Sequence, residues 1–280
     1  MLDASRGRSV QIKNEANLVA MRRAGRMASE CLAWILEQVE PGITTLDIDD
    51  LQMQFVREHG VVPAPLGYKG FPRSVCTSVN EVICHGIPSR EVVLRSGDII
   101  GIDVTLIVEG FHGDTAATVG VGEVDEEVAG LLRATLEAQR RGVEAVRPDA
   151  RIGDIGHAIQ SVVEPRGFSV VRDFVGHGIG RRFHEEPQVP HFGTSGRGLR
   201  LRRGMTFTIE PMINVGVPDV EILDDGWTAV TGDRHLSAQY EHTIEVTAEG
   251  VRVLTVQNDD GTWEPPGRWW PPGFPGAPDA

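Results

Sequence analysis

Residues 97–119 read GDIIGIDVTLIVEGFHGDTAATV. Apolar and β-branched residues fill 97–108, Glu109-Gly110 is a turn pair, and FHGDTAATV returns. The pattern predicts an antiparallel hairpin. Asp103 interrupts the apolar run on the way out and Asp114 on the way back. With the turn at Glu109-Gly110, the two fall within about two residues of facing each other. A lone carboxylate in an apolar strand is costly to bury unless it is paired or bound to a metal. Two carboxylates that close repel unless something positive sits between them.

The same situation recurs downstream. Glu210 lies in TFTIEPMINV and Glu241 in SAQYEHTIEV, and both segments read as strands. A salt bridge to Arg or Lys is an adequate explanation for any one of these acids, and a poor one for all four together. His177, in the Gly-rich turn VGHGIG, supplies a nitrogen ligand. Oxygen-rich sites with one imidazole suit Mn, Fe, Co or Zn. Carboxylates can also bridge two such ions about 3.5–4 Å apart. His85, in CHGIP, and His184, in FHEEP, fall in turns and are candidates for the surroundings of that centre. The remaining histidines read as ordinary surface or core residues.

Around this centre the chain predicts helices. Apolar spacing from Asn14 to Val39 is helical, with Asn14 as N-cap and Pro41-Gly42 as the stop. A second helix starts at Thr45 or Asp47 and closes at His59-Gly60. Two more fall near 126–146 and 153–164. An internal repeat runs through the chain at an offset of 107 residues. Val39-Glu40-Pro41 matches Val146-Arg147-Pro148, Asp47-Ile48 matches Asp154-Ile155, and Gly60 matches Gly167. Leu94-Arg95-Ser96-Gly97 matches Leu201-Arg202-Arg203-Gly204, and Ile102-Asp103 matches Ile209-Glu210. This predicts two halves, each a helix pair followed by strands, related by a pseudo-two-fold axis. One carboxylate from each half then sits at an equivalent strand position on a central seam.

The chain has 280 residues, 40% of them hydrophobic, enough for a packed core without staples. A net charge of −13 argues against direct nucleic-acid binding and against an anionic membrane surface. Cys31, Cys76 and Cys84 form neither a disulfide framework nor a zinc cluster. The N-terminus lacks the apolar run of a signal peptide, and no apolar stretch is long enough for a membrane span. The expected compartment is therefore the cytoplasm. Residues 1–10 read as a flexible lead, 11–258 as a single catalytic domain and 259–280 as a disordered Pro/Gly/Trp-rich tail. GTWEPPGRWWPPGFPGAPDA cannot form regular ladders.

Five segments carry a family resemblance. They are LGYKGFPRSVCTSVNEVICHGIP (66–88), IDVTLIVEGFHGDTAATV (102–119), GHGIGRRFHEEPQV (176–189), FTIEPMI (207–213) and LSAQYEHTIEVT (236–247). Over roughly 10–258 the chain closely resembles the type I methionine aminopeptidases. The resemblance implies an α+β pita-bread fold: a curved antiparallel sheet covered by helices, in two pseudo-two-fold related halves. It implies removal of the initiator methionine from nascent chains when the second residue is small, by a water or hydroxide bridging two divalent ions (Co, Mn, Fe or Zn). By that resemblance Asp103 and Asp114 bind one ion, His177 and Glu210 the other, and Asp114 and Glu241 bridge. Glu210 also assists as base, His85 lies beside the substrate amine and scissile nitrogen, and His184 hydrogen-bonds the carbonyl oxygen.

The resemblance further assigns Tyr68, Phe71, Cys76, Phe183 and Trp227 to the methionine pocket, although each also reads as ordinary core. It adds a monovalent-cation site near Asn80, Val82 and Ser237. Pro65, Phe71 and Gly101 depart from the residues common at those positions and bear on fine preference. The expected partners are the N-terminal segments of nascent polypeptides, with transient ribosome association and a monomeric chain. Two alternatives stand: a prolidase or aminopeptidase P-like peptidase, and a non-catalytic pita-bread binding module.

Overall fold

A computed structural model describes residues 9–256. The expected lead over 1–8 and the expected tail over 259–280 lie outside the described residues. The last residue of the expected lead, Val10, is partly buried and packs against the larger core cluster.

The first half opens with two helices, α1 (Glu15–Leu36) and α2 (Thr45–His59). Asn14 caps α1, its side chain accepting from the Asn17 N–H. Thr44 caps α2 in a full capping box with Asp47, and Gly60 closes it at φ 64. Strands β1 (Val62–Pro63), β2 (Cys76–Val79), β3 (Val82–Cys84), β4 (Ile99–Val108) and β5 (Phe111–Gly120) follow. The second half repeats the plan with α3 (Glu126–Glu144) and α4 (Ile152–Val163), then β6 (Ser169–Val170), β7 (Gly176–Gly178) and β8 (Glu185–Val189). The chain ends in β9 (Thr206–Ile209), β10 (Met212–Asn214), β11 (Val220–Ile222), β12 (Ala229–Thr231), β13 (Ser237–Val246) and β14 (Val251–Val253).

One eleven-stranded sheet joins both halves, its main path running β1-β4-β5-β13-β9-β7-β8. Among the described residues every strand pairing in it is antiparallel. A separate three-stranded sheet is ordered β11-β12-β3. The helices bury one face each against the large sheet. α1 and α2 pack with β4 and β5 in one core cluster, which includes Leu32, Ile35, Ile48, Ile102 and Val104. α3 and α4 pack with β9 and β13 in another, which includes Leu131, Ile155, Phe207 and Ile244.

The repeat is real in three dimensions. Thr44 bridges Val93, and 107 residues on Arg151 bridges Arg200. The Leu94 N–H donates to the Ile43 carbonyl, and the Leu201 N–H to the Ala150 carbonyl. The Gly42 N–H donates to the Leu94 carbonyl, and the Asp149 N–H to the Leu201 carbonyl. Gly97 and Gly204 both take positive φ, 97° and 81°, at the turn entering the strands.

Two expectations need correction. TFTIEPMINV is not one strand: it breaks into β9 and β10, and Glu210 sits in the break. Pro211 has no N–H to give the ladder. His177 is on a short strand rather than in a turn. Its flanking glycines serve close packing, not bending. A Cβ on Gly176 would lie 2.4 Å from the Thr208 carbonyl oxygen, and one on Gly178 would lie 2.1 Å from that of Glu186.

Candidate active site

The sheet sets the acids in a row. Asp103 on β4 pairs with Ala116 on β5, and Ala116 pairs in turn with Glu241 on β13. The pairs His242↔Ile209 and Met212↔Gln239 share one register, which carries Glu210 opposite Glu241. Asp114 lies two residues from Ala116 on the same face, opposite Thr105. The two-residue offset between Asp103 and Asp114 is the one expected from the turn. Ala116, between Asp103 and Glu241, is small enough to leave the space above it open.

His177 enters from the next strand. Its Nε2 lies 3.5 Å from Asp114 Oδ2 and 3.8 Å from Glu210 Oε1. Ligand atoms of Asp114, His177 and Glu241 all lie within 4.8 Å of one another. Among the described residues, His177 is the only cationic partner of these acids, so the salt-bridge explanation fails for them.

The electrostatics point the same way. Burial, with the charges of Asp114 and Glu210 added, raises the Asp103 carboxyl well above its usual range. Burial and the charges of Asp114, Glu210 and Asp103 do the same to Glu241. Burial pushes Glu210 up to about 7, against the opposing pull of His177. For His177, burial pulls down, but the hydrogen bond to Asp114 and the charge of Glu210 outweigh it and raise the imidazole. A cluster that holds protons so firmly is one that a cation would stabilise. Two buried carboxylate oxygens, Asp103 Oδ1 and Glu241 Oε1, also have no hydrogen-bond partner. The donor set, all oxygen with one imidazole, therefore fits one or more divalent metal ions.

Neighbouring groups orient the acids. Thr105 Oγ1 donates to Asp114 Oδ1 at 2.7 Å, and Thr208 Oγ1 to Glu210 Oε1 at 2.6 Å. Gln239 Nε2 donates to Glu210 Oε2 at 3.3 Å. The Glu210 N–H donates to His191 Nε2 at 3.1 Å. Sequence reasoning missed all four residues. Gln239 was within reach, because it stands two positions before Glu241 on the same face of β13.

A cavity of about 270 Å³ opens over the row and is lined by every residue assigned to the methionine pocket, with His85 and His184. Lys69, Asp173, Phe174 and Met212 line it too and went unnoticed in the sequence. Phe71 is buried and meets Trp227 edge-on at 5.2 Å. Trp227 belongs to the hairpin that β11 and β12 form, outside the main sheet. Phe183 lies 5.0 Å from Tyr68. Burial pushes the Cys76 thiol up, so it packs as a neutral apolar group.

His85, at φ 57, sits edge-on to Phe174 and Trp227, and burial lowers its pKa. His184 is exposed at the pocket wall, yet the rings crowding it desolvate the imidazole and lower its pKa, as does the neighbouring His177. The structure thus brings together all the expected site residues. It also brings Asn80 and Ser237 together, the Ser237 N–H donating to the Asn80 carbonyl at 2.9 Å, with Val82 paired to Val230 alongside.

Acids from both halves around one imidazole, lining a pocket with aromatic walls, define a metal-dependent hydrolase. The chain belongs to metallopeptidase family M24, whose signature matches residues 19–248. It is 54% identical to methionine aminopeptidase A of Synechocystis over 89% of this chain and 99% of that one. It is 48% identical to the methionine aminopeptidase of Escherichia coli K12 over 90% and 96%. A crystal structure of methionine aminopeptidase from Rickettsia prowazekii superposes with a TM-score of 0.87 at 48% identity, covering 89% of this chain and all of that one. A Xaa-Pro dipeptidase from Bacillus anthracis shares the fold at TM-score 0.71 and 24% identity, with only 61% of its chain covered.

Proposed function

We propose that this chain is a methionyl aminopeptidase, releasing the initiator methionine from nascent polypeptides whose second residue is small. The observation that carries the reading is the row of acids closed by His177 beneath a pocket of aromatic and sulfur-bearing walls. Asp103, Asp114, His177, Glu210 and Glu241 would hold two divalent ions. When bound, the ions supply Lewis acidity and an activated water.

The chain's own groups do the rest. Tyr68, Phe71, Cys76, Phe183 and Trp227 enclose an unbranched, polarisable side chain and exclude water from it. His85 would lie beside the substrate amine and the scissile nitrogen. A neutral His184 can donate to the carbonyl oxygen as it gains charge. Glu210, held by Thr208 and Gln239, is oriented to accept a proton and return it to the leaving amine. Chains met as they are made imply a cytoplasmic, ribosome-proximal site of action for a monomeric enzyme. Among the described residues no helix is long and apolar enough to cross a membrane.

The test is methionine release from a Met-Ala-Ser peptide by metal-stripped enzyme, reloaded separately with Mn, Co, Fe and Zn. Release with at least one metal, and none from Xaa-Pro peptides, is the expected result. Silence with all four would overturn the reading, and Xaa-Pro cleavage would move it to the prolidases.

A further inference from the structure

Tyr68 begins a short 3-10 turn, Tyr68–Gly70, entered through Gly67 at φ 81. The turn is closed on both sides. The Tyr68 N–H donates to the Pro65 carbonyl at 2.9 Å, the Gly67 N–H to the Phe71 carbonyl at 2.8 Å, and the Phe71 N–H to the Tyr68 carbonyl at 2.9 Å. Lys69 Nζ lies 5.3 Å from the centre of the Tyr68 ring. The phenol is thus presented from a fixed backbone. Its oxygen lies 3.0 Å from His184 Nδ1. The imidazole is in turn wedged among rings, with centroids 5.4 Å from Tyr68, 4.5 Å from Phe183 and 4.1 Å from His177.

Those rings fix where the imidazole sits but not which nitrogen carries its proton. A neutral imidazole has one donor and one acceptor nitrogen, and the hydrogen bond at one decides the state of the other. A phenol O–H is a good donor, and among the described residues the Tyr68 oxygen shares a hydrogen bond with Nδ1. We infer that Tyr68 is a positioning residue: it donates to His184 Nδ1 and so holds the remaining imidazole proton on Nε2. An Nε2–H can donate to a substrate carbonyl oxygen. The other tautomer would turn a lone pair toward that oxygen and repel it. This gives Tyr68 a second task beyond lining the pocket with its ring. The consequence for catalysis rests on the aminopeptidase reading; the tautomer does not.

The test is Tyr68→Phe, which keeps the ring and removes the hydroxyl. In metal-free enzyme with ¹⁵N-labelled histidine, long-range ¹H–¹⁵N spectra report the tautomer, and His184→Ala assigns the signal. Wild type is expected to show His184 with an acceptor Nδ1 and a protonated Nε2. Tyr68→Phe is expected to show a mixture of both tautomers at an unchanged melting temperature. With the metal-loaded enzyme, kcat on Met-Ala-Ser should fall on the order of tenfold, one neutral hydrogen bond's worth, with KM within about twofold. In a His184→Ala background, Tyr68→Phe should change kcat less than about twofold.

An unchanged His184 tautomer in Tyr68→Phe overturns the inference. So does a raised KM with unaltered kcat, or full additivity of the two substitutions. If wild-type enzyme releases no methionine with any metal, the aminopeptidase reading fails while the spectra still decide the tautomer.

Discussion

At a spacing of 107 residues the two halves share bridges, turn glycines and helix starts, but they continue differently after the shared strand. In the first half β4 runs unbroken for ten residues, turns through Glu109-Gly110 and returns as β5. In the second, the counterpart strand stops at Ile209 and resumes at Met212. The chain then leaves the main sheet for the β11–β12 hairpin before coming back as β13. The first half therefore contributes a rigid acidic hairpin. The second contributes Glu210 from a break, His177 from an inserted strand, and Trp227 from the excursion. A duplicated frame places one acid per half, and its unequal elaborations build the pocket.

The largest effect should come from the repeat-related pair itself. Asp103→Asn and Glu210→Gln each replace one half's carboxylate with an isostere that cannot carry charge. If each acid helps hold an ion, each loss removes several kcal/mol of charge stabilisation, roughly 10²–10³-fold or more in kcat/KM. Metal content should also fall below that of wild type, as elemental analysis would show. If one substitution left both metal content and rate near wild type, the halves would not share the centre as their equivalence requires.

Among the described residues, a buried ion pair straps the segment before α1 to the second half. Lys13 Nζ meets Glu185 Oε2 at 2.6 Å, with both side chains 5% exposed. The Lys13 N–H donates to the Gly204 carbonyl, so the segment before α1 is tied across the second half. Lys13→Met strands the Glu185 carboxylate in a buried site. Breaking a buried pair costs about 3–5 kcal/mol, largely because one charge is left unpaired. Lys13→Met with Glu185→Gln should recover much of it. Urea unfolding measures both variants, and a single substitution costing under about 1 kcal/mol would show the strap to be incidental.

That strap marks the limit of what the sequence made legible. The β4–β5 hairpin was readable because its alternation, turn pair and acids are local, and the helices because their caps are. The repeat was readable because short identities keep a constant spacing. The strand carrying His177 was misread because glycine serves both bends and close contacts, and only the neighbouring backbones at Thr208 and Glu186 tell which. The break at Glu210 was announced by Pro211 and overlooked beneath an apolar run. Lys13–Glu185 and His191–Glu210 join residues whose proximity only the folded sheet creates. The resemblance named the pocket walls, whereas Lys69 and Phe174 needed the cavity itself.

The smallest expected effect probes the frame where its symmetry is imperfect. Thr44 and Arg151 are equivalent N-caps, and each takes a return bond from an acid three residues on. The Thr44 N–H donates to Asp47 Oδ2 at 2.8 Å and the Arg151 N–H to Asp154 Oδ2 at 2.7 Å. Thr44 completes its box by accepting from the Asp47 N–H. A guanidinium has no acceptor, so Arg151 cannot; instead its Nη1 donates to the Gly198 carbonyl at 2.7 Å. Asp154 is held harder than Asp47 in compensation. It also accepts from Ser195 Oγ and the Gly196 N–H, and these bonds lower its pKa to about 2. Thr44→Ala should therefore cost about 1 kcal/mol, the usual value of a lost cap. Arg151→Ala should cost less, because only a partly exposed bond to Gly198 goes with it. Asp154→Ala should cost more than Asp47→Ala, since it frees three donors rather than an N–H and one hydroxyl. The reverse order in thermal melts would mean that the two caps carry equal loads despite their different chemistry.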